Sequence, residues 1–88
     1  MTPAERKAFK ARAHKLEPVV IVGGKGLTGE VIAEIDRALT AHELIKVRAP
    51  AADRDERDVL LKSICEQTGA EAVQQIGKVL VLYRKRPG

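Results

Sequence analysis

Val19-Val20-Ile21-Val22 runs without a polar break into Gly23-Gly24-Lys25-Gly26, and a helical pattern opens shortly beyond. Four consecutive β-branched residues favour a strand, and apolar character at every position predicts burial on both faces. Pro18, just before the run, ends any preceding helix. Strand, glycine turn and helix N-terminus in this order commit the chain to an α/β unit. They also set unpaired helix N–H groups beside a backbone with few side chains, an arrangement able to cradle phosphate. Lys25 adds a full positive charge at the tip of the turn.

A nucleotide-binding P-loop needs Gly, four residues, Gly-Lys and then Ser or Thr. Here Lys25 is followed by Gly26, and the position five before Gly24 is Val19, so that motif is absent. Two glycines at this spacing also occur in tight strand-to-helix connections that hold no ligand. What favours a ligand is the lysine at the tip and the charge of the neighbouring segment.

Upstream, Pro3 suits the first turn of a helix running to about His14 or Lys15. On a helical projection Arg6, Lys7, Lys10 and His14 fall within an arc of about 100° and form a basic stripe. Phe9, Ala13 and Leu16 occupy another arc and are expected to pack inward. Downstream, Thr28 is a good N-cap for a helix from Gly29 to about His42, with Val31, Ile35, Ala38 and His42 on its apolar face beside Ile32 and Leu39. Leu44 to Arg48 reads as a strand: Ile45 and Val47 share one face, and Leu44, Lys46 and Arg48 the other.

After a loop at Pro50-Ala51-Ala52, a third helix runs from Asp53 or Asp55 to Thr68. Leu61, Ile64, Cys65 and Thr68 face inward and Gly69 is its stop. The acidic residues Asp53, Asp55, Glu56 and Asp58 suit the N-terminal end of that helix electrostatically, without metal or catalysis. Ala72 to Ile76 and Val79 to Arg84, joined by Gly77-Lys78, form a hairpin. The chain therefore reads as one α/β domain, residues 1–88. An N-terminal helix precedes β-α-β-α-β-β, and the four-stranded sheet is mixed, with its first three strands parallel and the last antiparallel.

The charge has a direction. The net value is +4, and Met1 to Leu16 holds five Lys or Arg against one Glu, while the end carries Arg84-Lys85-Arg86. This fits a polyanionic partner. Phe9 and Tyr83 are the only aromatic residues. Base stacking on several rings is therefore not the expected mode, and contact should come through backbone charge and shape. The single cysteine, Cys65, supports neither a disulfide framework nor a cysteine zinc site, and on an inward helix face it acts as a small hydrophobe. His14 and His42 have no partner at metal spacing. With no nucleophile–base pair in view, the chain is expected to be no enzyme and to use no metal, cofactor or small-molecule substrate. No apolar run is long enough to span a bilayer and no signal-peptide pattern is present, so a soluble cytoplasmic protein with no membrane partner is expected.

Leu16-Glu17-Pro18-Val19-Val20, Gly23-Gly24-Lys25-Gly26-Leu27-Thr28, Glu43-Leu44-Ile45-Lys46-Val47-Arg48, Thr68-Gly69, Ile76-Gly77-Lys78 and Leu82-Tyr83-Arg84 follow one another in an order and spacing that cover nearly the whole chain. In these residues the chain resembles the CRM-domain family, and within it the small YhbY-like bacterial proteins associated with assembly of the large ribosomal subunit. The resemblance implies a two-layer α/β fold similar to the C-terminal domain of bacterial translation initiation factor three, and RNA binding through a GXXG loop likened to that of KH domains. Carried over, that loop is Gly23, Gly24, Lys25 and Gly26. The basic strand positions fall on Lys46 and Arg48, and the terminal Tyr-Arg on Tyr83 and Arg84. Glu17, where a basic residue is common, and Ala70, where a second glycine is common, depart from the pattern.

The expectation is thus a non-catalytic RNA-binding module for large-subunit ribosomal RNA or its precursor within a pre-ribosomal particle. Its candidate RNA-binding residues are Gly23, Gly24, Lys25 and Gly26, the helix residues Arg6, Lys7, Lys10 and His14, and the strand residues Lys46, Arg48 and Arg84. Such contacts position a backbone without reading bases. The polyanion reading fits RNA and DNA alike; RNA comes from the resemblance. The alternative is an adaptor docking proteins of the ribosome or translation machinery through apolar residues left on the sheet, such as Leu80 and Leu82.

Overall fold

Three polar side chains decide where the helices begin in this computed structural model, which describes residues 1–87. Thr2 caps α1 (Pro3–Ala13) in a reciprocal capping box with Glu5, and Thr28 caps α2 (Gly29–His42) by accepting the Val31 N–H. Asp53 caps α3 (Arg54–Thr68) in a second capping box, with Glu56. The Glu56 N–H donates to Asp53 and holds that carboxyl below its ordinary range. Its stabilisation is therefore fully present at neutral pH and lost as pH falls through the lowered folded-state value. Gly69, with φ 75°, ends α3 in the left-handed conformation that glycine adopts without strain.

The strands are β1 (Pro18–Ile21), β2 (Leu44–Arg48), β3 (Glu71–Ile76) and β4 (Val79–Tyr83). They form one sheet in the order β1-β2-β4-β3. β1 and β2 are parallel, and β4 runs antiparallel to both β2 and β3. The first three strands thus share a direction, as the helical crossovers require. The second strand of the hairpin turns back into the sheet interior, where its apolar sequence is buried on both faces.

One face of the sheet carries α2 and α3 over the main core. Val20, Val22, Ile35, Leu39, Ile45, Val47, Ile64, Leu80 and Leu82 are its fully buried large side chains, each contributing about 1.5–3 kcal/mol relative to exposure. Leu80 and Leu82 are wholly inside, so they offer no surface for a partner. Ala70, at the position where the resembling family often has glycine, packs into the same core. On the opposite face α1 lies over a smaller cluster of Ala13, Leu44, Val73 and Val81, with Met1, Phe9 and Tyr83 beside it. Phe9 and Tyr83 stack with centroids 4.1 Å apart, and the Arg12 guanidinium lies over the Phe9 ring.

The reach of α1 corrects the expectation for the first strand. Val20 and Val22 are buried, but Val19 is 45% and Ile21 60% exposed. β1 is an edge strand, and the α1 cluster is built from β2, β3 and β4, leaving the outer side of β1 uncovered. Leu16, beyond the end of α1, is also partly exposed. His42 is exposed and is the last residue of α2.

α2 passes into β2 through one residue. Glu43 has φ 63° and ψ −51°, a conformation that costs a non-glycine residue about 1–3 kcal/mol. Its carbonyl accepts the Arg84 N–H and its carboxylate the Arg86 N–H, so the segment after β4 is tied back to this turn. α1 is held far less firmly. Ala13 is its only fully buried residue, with Phe9 half-buried. In native-state hydrogen exchange the α1 amides should open at a lower free energy than those of β2 and β4, and Phe9→Ala should widen that gap.

Candidate nucleic-acid interface

The glycine turn leaves the C-terminal end of β1 with Gly23, Gly24 and Lys25 exposed. Gly26 N–H donates to the Gly23 carbonyl at 3.0 Å and closes the turn, with Gly26 at φ 74°. Gly23 and Gly24 are exposed and have no positive φ, and a Cβ added to either meets nothing within 4 Å. The folded chain alone therefore does not require glycine at these two positions; their bareness leaves room for something to approach. The Thr28 hydroxyl takes the Val31 N–H, and the rest of the first turn of α2 faces the same end of the sheet.

A path of positive charge reaches this turn across the α1 side of the sheet. Lys7 and Lys10 lie one helical turn apart and exposed on α1. Lys10 and His14 line a cleft of about 330 Å³ together with Lys46 of β2, Gln74 and Ile76. Arg48 stands two residues along the same face of β2, roughly 7 Å further on, and exposed. Its carbonyl accepts the Val22 N–H at 2.8 Å, which joins it directly to the root of the glycine turn. The structure thus brings together Lys10, His14 and Lys46, sets Arg48 next to them at the root of the turn Gly23–Gly26, and leaves Lys7 exposed one helical turn before Lys10.

Two expected residues do not join them. The Arg6 guanidinium donates to the carbonyls of Ala72 and Val73, at the irregular step in β3, and so pins α1 to the sheet. Arg84 is engaged at the opposite end of the molecule. Its guanidinium donates to the Asp36 carboxylate at 2.6 Å, the Thr68 carbonyl at 2.7 Å, the Asp36 carbonyl and the Thr40 hydroxyl. It locks α2, the end of α3 and the end of β4 together. The physical reason lies in side-chain direction: continuing the alternation of β4, residue 84 points to the α2–α3 side, away from Lys46 and Arg48.

Lys78 was missed. It is exposed in the β3–β4 turn, and its carbonyl accepts the Ala49 N–H at 2.8 Å, which sets it beside the end of β2 and close to Arg48. A hairpin turn is visible in the sequence, but this placement depends on β4 pairing with β2, for which no local signal exists.

The helices on the other face carry more acidic than basic residues. Glu30, Glu34 and Asp36 of α2 stand against Arg37, and Asp53, Asp55, Glu56, Asp58 and Glu66 of α3 and its cap against Arg54, Arg57 and Lys62. A polyanion is accordingly favoured on the α1 side. Both aromatic rings are committed to their mutual stack, so contact on that side relies on charge. Cys65 is half-buried in the main core's flank, and burial with Glu71 nearby pushes its thiol above the ordinary value, making it a poor nucleophile. Among the described residues no group of three or more His, Cys, Asp or Glu is placed to hold a metal ion, and no helix is long and apolar enough to cross a membrane.

Comparison with known proteins gives this geometry a family. Residues 1–84 match the CRS1 / YhbY (CRM) domain, and the chain belongs to that family. It is 48% identical over 87 residues to a protein of Pseudomonas aeruginosa named as a probable RNA-binding protein, covering 99% of this chain and 84% of that one. It is 46% identical over 84 residues to a protein of Haemophilus influenzae named as an RNA-binding protein, covering 96% and 85%. Its fold matches the solution structure of a hypothetical Staphylococcus aureus protein proposed to bind RNA. The TM-score is 0.89 at 31% identity, over 100% of this chain and 92% of that one.

The two classes of residue separate in thermal melts. Arg84→Ala should lower stability by about 1–3 kcal/mol, because charged hydrogen bonds are lost and Asp36 is left without its partner. Gly24→Ala should leave stability unchanged or slightly raised, since the added methyl meets nothing and the unfolded chain loses freedom.

Proposed function

We propose that this chain is a non-catalytic RNA-binding protein that holds ribosomal RNA, or its precursor, during assembly of the large ribosomal subunit in the cytoplasm. The observation that carries the reading is the grouping of Lys10, His14 and Lys46 around one cleft, with Arg48 on the same face of β2 and bonded through its carbonyl to the root of the glycine turn. Loop N–H groups not used within the turn and those of the first turn of α2 donate to one phosphate, with Lys25 neutralising it. Arg48, Lys46, Lys10, His14 and Lys7 follow the strand away from the loop, and Lys78 widens the basic edge. Membership of the CRM family and the RNA-binding names of the relatives support the RNA; the ribosomal target rests on the resemblance to the YhbY-like proteins.

A second reading has its own observation. Val19, Ile21 and Ile76 are exposed apolar side chains on the α1 side of the sheet. An adaptor would use them, in place of the buried Leu80 and Leu82, to dock a protein of the translation machinery. Association surviving nuclease treatment would favour it.

Crosslinking in cells followed by sequencing of bound RNA tests the first reading. Signal should concentrate on large-subunit ribosomal RNA and disappear in the Gly24→Asp, Lys25→Asp variant, which keeps its fold because both positions are exposed. In solution, affinity should fall steeply with salt. Lys10→Gln and Lys46→Gln should each reduce the slope of log K against log salt by about 1, through one fewer released counterion. Slopes equal to wild type in both variants would remove these residues from the interface.

A further inference from the structure

The glycine turn has a second side. Opposite the basic path it forms one wall of a cleft of about 420 Å³, closed by the connection 49–52 and the first turns of α3. Val22 and Ala49 in its lining are each 1% exposed, whereas Val59 is 67% exposed, an apolar side chain open to solvent after the charged run Arg54 to Asp58 that starts α3. Arg57 donates to the Ala52 carbonyl and so fastens the connection that forms the second wall. The mouth is edged by Asp55 and Glu56. Glu56 is turned toward the Asp53 N–H, but the Asp55 carboxylate makes no hydrogen bond or ion pair among the described residues.

These features select a ligand. Carboxylates at the mouth repel phosphate and accept only N–H or O–H donors. Apolar walls favour a flat, weakly hydrated face, and wall residues without side chains on the loop leave room for it. A nucleobase has that face and carries its donors on the edge. The glycine wall is shared with the phosphate-binding side of the same turn, so a nucleotide held there by its backbone has the cleft within reach of its base.

We propose that this cleft receives one unpaired base of the bound RNA and that Asp55 reads its edge. The inference rests on the RNA-binding function proposed above and adds base discrimination to a clamp that otherwise only positions. Guanine fits best, because its adjacent N1–H and N2–H groups can donate to the two oxygens of one carboxylate. Adenine and cytosine offer an amino group alone. Uracil sets carbonyl oxygens beside its single N–H, where a carboxylate is unfavourable.

Short fluorescent oligouridine strands carrying one central G, A, C or U test this by anisotropy. Wild type should bind the G strand about tenfold more tightly than the all-U strand, within the discrimination of a bidentate base contact. Asp55→Asn should hold or raise affinity for the all-U strand, since a negative charge is gone, while the preference for G collapses. The Val59 methyl signals in NMR spectra should shift upfield on adding the G strand, from the ring current of the stacked base. Equal affinity of wild type for all four strands, or a G preference that survives Asp55→Asn, overturns the base cleft and leaves the clamp standing. Failure to bind any strand, or binding indifferent to the Gly24→Asp, Lys25→Asp change, sinks the clamp and the cleft with it.

Discussion

The antiparallel pairing of β4 with β2 is the contact on which the rest of the molecule depends. It matches five residues on each strand, from Leu44 with Tyr83 to Arg48 with Val79. Its alternate side chains supply Ile45, Val47, Leu80 and Leu82 to the core beneath α2 and α3, and Leu44, Val81 and Tyr83 to the seat of α1. One more hydrogen bond, from the Arg84 N–H to the Glu43 carbonyl, carries the pairing into the strained turn. The same register fixes Lys46 and Arg48 on the α1 face, because a strand's side chains alternate and a slip by one residue would bury both charges. Structure and site are thus two consequences of one ladder.

That ladder separates charge by face. Basic residues of α1 and β2 gather on one side of the sheet and the carboxylates of α2 and α3 on the other. The glycine turn sits at the boundary, where β1 ends. One side of it faces the basic residues; the other borders a cleft lined by apolar residues together with Asp55 and Glu56. A nucleotide has both characters, an anionic backbone and a flat base with N–H donors, and the two sides of one turn match the two ends of it. The order of elements explains the economy of this arrangement, since a strand-to-helix turn at a sheet edge is exposed on both flanks.

Much of this was legible locally. The cap at Thr28, the start of α3 near Asp53, the stop at Gly69, the hairpin at Gly77-Lys78 and the two faces of Leu44–Arg48 all follow from residue type and period, and the structure agrees with them. What escaped was non-local. The run Val19–Val22 reads as buried on both faces because its composition is the same as that of a central strand, yet sheet order puts it at the edge and β4 in the middle. Leu80 and Leu82 disappear from the surface for the same reason. Arg84 and Arg6 carry charge that looks available in sequence, but each guanidinium finds backbone carbonyls on elements distant in the chain. Lys78 enters the basic edge by the same long-range pairing. Composition indicated a polyanion partner; only the topology shows which charges face together.

The most direct test of the central claim is an NMR titration of the 15N-labelled protein with a structured ribosomal RNA fragment at low salt, followed by stepwise salt addition. The account predicts that the largest amide changes fall on Gly23–Gly26, Lys46, Arg48 and the Lys7–His14 side of α1, and that they fade together as salt rises. Changes centred on the outer surfaces of α2 and α3, or on Val19 and Ile21 and insensitive to salt, would contradict it.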